Sequence, residues 1–213
     1  MTTRRTLTVA GAIAATAILA ACSGTASQAS SSGGPSPAAA APSQAAAPSQ
    51  PAPRATEVNP PGDIPDNQAY VAFSPAGGGY SVKIPEGWSR TSTGTATSFS
   101  DKLNRIQVSA AAAPTQPTVA SVNSTDVPSV KASVPTFAMG KVSVVVRGGG
   151  KAILLTYQGD SAPNQVTGKV VRDAFERYTF YRAGTRVDLT LSGPTNADNV
   201  DPWRIVSDSL RWN

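Results

Sequence analysis

One stretch that cannot fold sets the limits for the rest of this chain. Residues 23–66 are almost wholly Ser, Ala, Pro, Gly, Gln and Thr, with Ala-Pro-Ser-Gln written twice, at 41–44 and 47–50. No aromatic side chain occurs there, and the prolines recur too often for a helix. Such a composition buries too little apolar surface to offset the entropy of ordering, so residues 22–66 are expected to be a disordered tether. Of the 213 residues, that leaves 67–213 for a single folded domain. This is close to the commonest domain size, and enough to enclose a core.

The segment ahead of the tether has the layout of an export signal. Arg4-Arg5 gives a basic start, an apolar stretch runs from Leu7 to Leu19, and small residues precede Cys22. The apolar stretch is shorter than the ~20 residues a spanning helix needs. Leu19-Ala20-Ala21-Cys22 matches the lipobox, in which an aliphatic residue and two small ones precede a cysteine that receives a diacylglyceryl group through its thiol. Cys22 is the only cysteine, so a disulfide within the chain is excluded and an anchoring role is favoured. The expectation is a signal peptide over 1–21, lipidation at Cys22, and attachment to the extracytoplasmic face of the cell membrane.

Composition then removes several kinds of chemistry. The chain has no histidine, hence neither the usual general base nor the commonest metal ligand. The formal charge is +5; without Arg4 and Arg5 it is +3, from 16 basic and 13 acidic side chains. The basic residues are scattered, which argues against nucleic acid as a partner. No cofactor motif is present. Arg147-Gly148-Gly149-Gly150-Lys151 lacks the spacing of a phosphate-binding loop and reads as a hairpin turn. Gly159-Asp160-Ser161 has no base to activate the serine and reads as a polar loop. Asp198, Asn199 and Asp201 are few for a Ca²⁺ site, and capping of a helix accounts for Asp201.

Within the domain the dominant period is two. Tyr80, Val82 and Ile84 alternate, as do Ile106, Val108 and Ala110, then Val142, Val144 and Val146, and finally Val187, Leu189 and Leu191. Tyr70–Phe73 and Ala152–Tyr157 read as further strands, and Val170-Val171 through Tyr181 as one long strand-like region. Residues 118–132 read as a short helix. At the C-terminus Asp201 caps, Pro202 opens, and Trp203, Val206 and Leu210 share the apolar face of an amphipathic helix. An antiparallel sheet with a closing helix makes an α+β domain.

Two segments resemble a known family. Gly79-Tyr80-Ser81-Val82-Lys83-Ile84-Pro85-Glu86-Gly87-Trp88 looks like the opening hairpin of PsbP-like proteins. Ala197 through Trp203 and Asp208 through Trp212 look like their closing helix. The similarity spans about residues 70–213 and is nearest the actinobacterial LpqN-like lipoproteins. It implies an antiparallel sheet of about six strands sandwiched by helices, and a non-catalytic binding role; it carries no catalytic motif.

On the strands near 176–191, alternation places Tyr178, Phe180, Val187, Leu189 and Leu191 on one side. Arg177, Thr179, Tyr181, Arg186 and Asp188 lie on the other. Arg177, Tyr181 and Arg186 are therefore the candidate ligand-binding residues, suited to anionic or planar groups of an envelope protein, lipid or wall polymer. The competing expectation is an envelope hydrolase with a carboxylate pair, which needs no histidine.

Overall fold

The computed structural model describes residues 60–163 and 167–213. Cys22, the segment before it and most of the expected tether lie outside the described residues. β1 (Tyr70–Phe73), β2 (Tyr80–Pro85) and β10 (Arg211–Trp212) pair in the order β1-β2-β10. The larger sheet contains β3 (Ser89–Thr93), β4 (Ala96–Asp101), β5 (Asn104–Ala112), β6 (Ala138–Arg147), β7 (Gly150–Asp160), β8 (Arg172–Arg182) and β9 (Thr185–Pro194). Its order is β3-β4-β5-β9-β8-β7-β6, and every pairing is antiparallel.

Between β5 and β6 the chain is helical. α1 (Val119–Ser121) runs into a π-helical turn (Val122–Asp126) and then into α2 (Val127–Ser133). Thr118 starts it: its Oγ1 accepts from the Ser121 N–H, while the Ser121 hydroxyl accepts from the Thr118 N–H. The last helix, α3 (Val200–Asp208), precedes β10. No helix among the described residues is long and apolar enough to cross a membrane.

The period-two pattern decides which face each core takes. Tyr178, Phe180, Val187, Leu189 and Leu191 are at most 1% exposed. They pack with Tyr80, Val82 and Ile84 of β2, with Ile106 and Val108 of β5, and with Val206 and Leu210. Each such side chain contributes roughly 1.5–3 kcal/mol through burial. The opposite face of the larger sheet meets the helical segment, where Val122 and Val130 pack on Ile153, Leu155 and Tyr157. Phe175 stacks on Tyr157 there at 4.5 Å.

Four expectations are corrected. The expected sheet of about six strands sandwiched by helices is a seven-stranded sheet, with α1–α2 on one face and a three-stranded sheet plus α3 on the other. β1 and β2 stay out of the large sheet because Tyr80, Val82 and Ile84 are buried in the core packed against its face. Val170-Val171 precede β8, and Val170 is exposed. Asn199 rather than Asp201 flanks the start of α3, and Pro202 is its third residue, still within the turn whose N–H groups lack helical partners. The packed chain also begins ahead of residue 67. Ile64 is buried, and its N–H donates to the Asn199 side chain at 2.8 Å.

The triple glycine forms the expected hairpin turn, since Arg147 pairs with Gly150 across β6 and β7. Bare backbone is needed there. A Cβ on Gly148 would lie 1.8 Å from Arg211 Nη1, and one on Gly149 would lie 2.4 Å from Leu210 Cδ2. The Trp212 indole N–H donates to the Gly149 carbonyl at 2.9 Å, closing the C-terminus over the turn.

Candidate functional site

At one end of the large sheet, the start of β5, the end of β7 and the start of β8 converge beneath the segment that leaves α2. Gly159 makes this approach possible, because a Cβ there would sit 2.0 Å from Val134 Cγ1. The Asp160 N–H donates to the Pro135 carbonyl at 2.9 Å. Arg172 reaches across the same corner, donating to the Thr136 carbonyl at 2.7 Å and pairing with Asp160 at 3.3 Å. Beside these bonds lies a groove of about 840 Å³, within the range that takes drug-sized ligands.

The lining is mixed, as ligand grooves usually are. Leu103, Val134, Pro135 and Phe175 supply apolar surface, and Ser100, Ser133, Ser161 and Ser192 supply hydroxyls. Lys102, Arg105 and Lys169 bring positive charge, and Asp160 and Asp173 bring negative charge. Asp173 is the unusual member. It is 6% exposed, and its Oδ1 has no hydrogen-bond partner. Burial, and secondarily the charge of Asp160, push its carboxyl up to about 6 from an ordinary 3.8. A buried carboxylate oxygen left without a donor is costly to keep, and carboxyls with strongly perturbed titration concentrate at functional sites. Nothing in the sequence marks it, because its burial depends on the register that sets Asp173 opposite Gly159 and Pro194.

The residues expected to bind ligand are found elsewhere, on the helix-covered face. Arg177 Nη2 donates to Asp188 Oδ2 at 3.0 Å, and Arg186 Nε donates to the same oxygen at 2.9 Å. Arg186 also pairs closely with Asp126 of the π-helical turn. Thr179 donates to Asp188 Oδ1 at 2.7 Å. Two arginines thus meet two aspartates, and both guanidiniums are committed to an internal network instead of being displayed as a cationic face. The network fastens the helical segment to the sheet. Tyr181 stands apart from it, half-buried, in a cleft of about 380 Å³ with Val144, Lys151 and Thr179.

The remaining polar motifs have structural partners. The Asn199 side chain donates to the Gly62 carbonyl at 3.0 Å and to Asn104 Oδ1 at 2.9 Å, joining the start of α3 to β5. The Ser161 hydroxyl accepts from the Val171 N–H at 3.0 Å. Among the described residues, no group of three or more acidic, cysteine or histidine side chains is placed to hold a metal ion.

No protein-family model matches the chain, and no curated protein matches it. Several solved structures are similar. A Bacteroides thetaiotaomicron protein superposes with TM-score 0.47 and 12% identity over 67% of this chain, which spans 48% of that protein's length. Cyanobacterial PsbP from Synechocystis gives TM-score 0.47 and 18% identity, covering 68% of this chain and 94% of that one. LpqN of Mycobacterium tuberculosis, a protein involved in cell envelope biogenesis, gives 0.41 and 13% over 70% and 92%.

Proposed function

We propose that this chain is a lipoprotein held on the outer face of the cell membrane through Cys22, presenting a non-catalytic, PsbP-like binding domain to an envelope component. The lipobox at Leu19–Cys22 and the Ser/Ala/Pro-rich tether after it support the placement. The PsbP-like reading rests on the segments at 79–88 and 197–212. The groove floored by Asp173 carries the binding role, since it joins a sizeable concave volume to a buried acid lacking a donor. The test is to titrate the isotope-labelled full chain with soluble peptides, oligosaccharides and lipid headgroups, following the amide signals of the groove. Saturable shifts at Asn104, Ser161 and Phe175 that Asp173→Asn weakens support the reading. Shifts confined to other faces refute it.

One observation favours a second reading. Asp160 and Asp173 line the same groove, and the charge of one raises the pKa of the other, an arrangement glycoside hydrolases use to divide acid and base roles. Against it, Asp160 is already paired with Arg172. Turnover of a wall glycan by the full chain, abolished by Asp160→Asn and by Asp173→Asn alike, would select the hydrolase.

A further inference from the structure

The groove separates its charges. Its floor holds the Asp173 carboxyl, whose Oδ1 lacks a donor, and its lining includes three cations. Among the described residues neither Arg105 nor Lys169 has an ion-pair partner, and Lys102 meets only Asp101, at 4.0 Å and well exposed. The second carboxylate of the groove, Asp160, is held by Arg172. One carboxylate oxygen therefore lacks a donor, while among the described residues Lys102 and Lys169 have no close anion and Arg105 meets only the neutral Ser98 hydroxyl, at 2.9 Å. A metal ion would need more oxygen ligands than a single carboxyl. A neutral sugar could donate to Asp173 but would leave the cations unmatched.

Building on the proposed binding role of this groove, we infer that its ligand is a small zwitterion, with its ammonium group on the Asp173 carboxyl and its anionic group at Lys102, Arg105 and Lys169. An ammonium donor gives Asp173 a charge-assisted hydrogen bond at a carboxyl that is itself largely buried, where it is stronger than between fully solvated groups. At about 840 Å³ the groove is roomy for a single amino acid and suits a short peptide or a lipid headgroup of the phosphoethanolamine kind. Both carry the same pair of charges.

Calorimetry on the full chain tests this with tri-alanine and glycerophosphoethanolamine as probes, beside N-acetyl-tri-alanine and a neutral trisaccharide. At least one zwitterion should bind, and which one binds identifies the source. N-acetylation of the peptide, or Asp173→Asn for either probe, should weaken binding by roughly tenfold or more. Affinity should rise roughly tenfold from about pH 5 to about pH 7, as the Asp173 carboxyl, flanked by Asp160, Arg172 and the three lining cations, loses its proton with a midpoint near 6. The inference is overturned if neither zwitterion binds, or if Asp173→Asn binds like the native chain. Equal binding of the acetylated peptide overturns it too. Binding of the trisaccharide alone would preserve the groove as a binding site while rejecting the zwitterion.

Discussion

Replacing Asp173 with asparagine should stabilise this protein at neutral pH and leave its stability in acid unchanged. The carboxyl has a folded-state value of about 6 against an ordinary 3.8, raised first by burial and second by Asp160. Below the ordinary value it is protonated in both the folded and unfolded chain, so it costs nothing. As pH rises from there to about 6, the unfolded chain ionises while the folded one resists, and stability falls. Above that the penalty is constant. Two units of displacement correspond to at most about 3 kcal/mol, and water in the adjoining groove reduces the expected effect to about 1–3 kcal/mol. Asparagine keeps the shape and removes the charge. Urea unfolding of native and variant chains at about pH 3 and about pH 8 reads the difference directly. The variant should match the native protein in acid and exceed it in base. Equal stability at both, or a variant weaker at the higher pH, would refute the claim that Asp173 is an unrelieved buried acid.

Other perturbations address the rest of the framework. Arg186→Ala leaves Asp126 and Asp188 with one guanidinium between them, and should cost about 2–4 kcal/mol in denaturant unfolding. Gly148→Ala must displace both the Arg211 side chain and the Asp208 carbonyl, and should cost about 1–3 kcal/mol with loss of the fixed environment of Trp212 in its fluorescence. Cys22→Ser should move the protein from the membrane pellet to the soluble fraction after a high-salt wash, because stable anchoring requires two acyl chains; retention in the pellet would disprove lipidation at that residue.

Local alternation made the main core legible. Tyr178, Phe180, Val187, Leu189 and Leu191 share a face in the sequence pattern and share a buried face in the fold. The helix near 118–132 was also legible, although its π-helical turn was not. What stayed hidden depends on partners distant in sequence. Ser89–Thr93 has no apolar alternation, and becomes a strand only because β4 offers it a hydrogen-bonding edge. Arg186 looked available on its own strand because Asp126, 60 residues earlier, is delivered by a helical segment that the sequence does not position. Asp201 looked like a cap, but the helix starts two residues sooner than that cap requires, and the Asn199 side chain is spent on Gly62 and Asn104. Asp173 carried no local signal, since the groove around it is assembled from strand ends and the segment after α2.

The titration of the Asp173 carboxyl itself, followed by carbon NMR in the full chain, tests the central claim most directly. A groove floored by a buried acid without a donor predicts a midpoint near 6, moving downward when a saturating ligand supplies a cationic donor. A midpoint near 3.8, unmoved by any ligand that binds the groove, would mean that Asp173 is an ordinary solvated carboxylate, and would contradict the account.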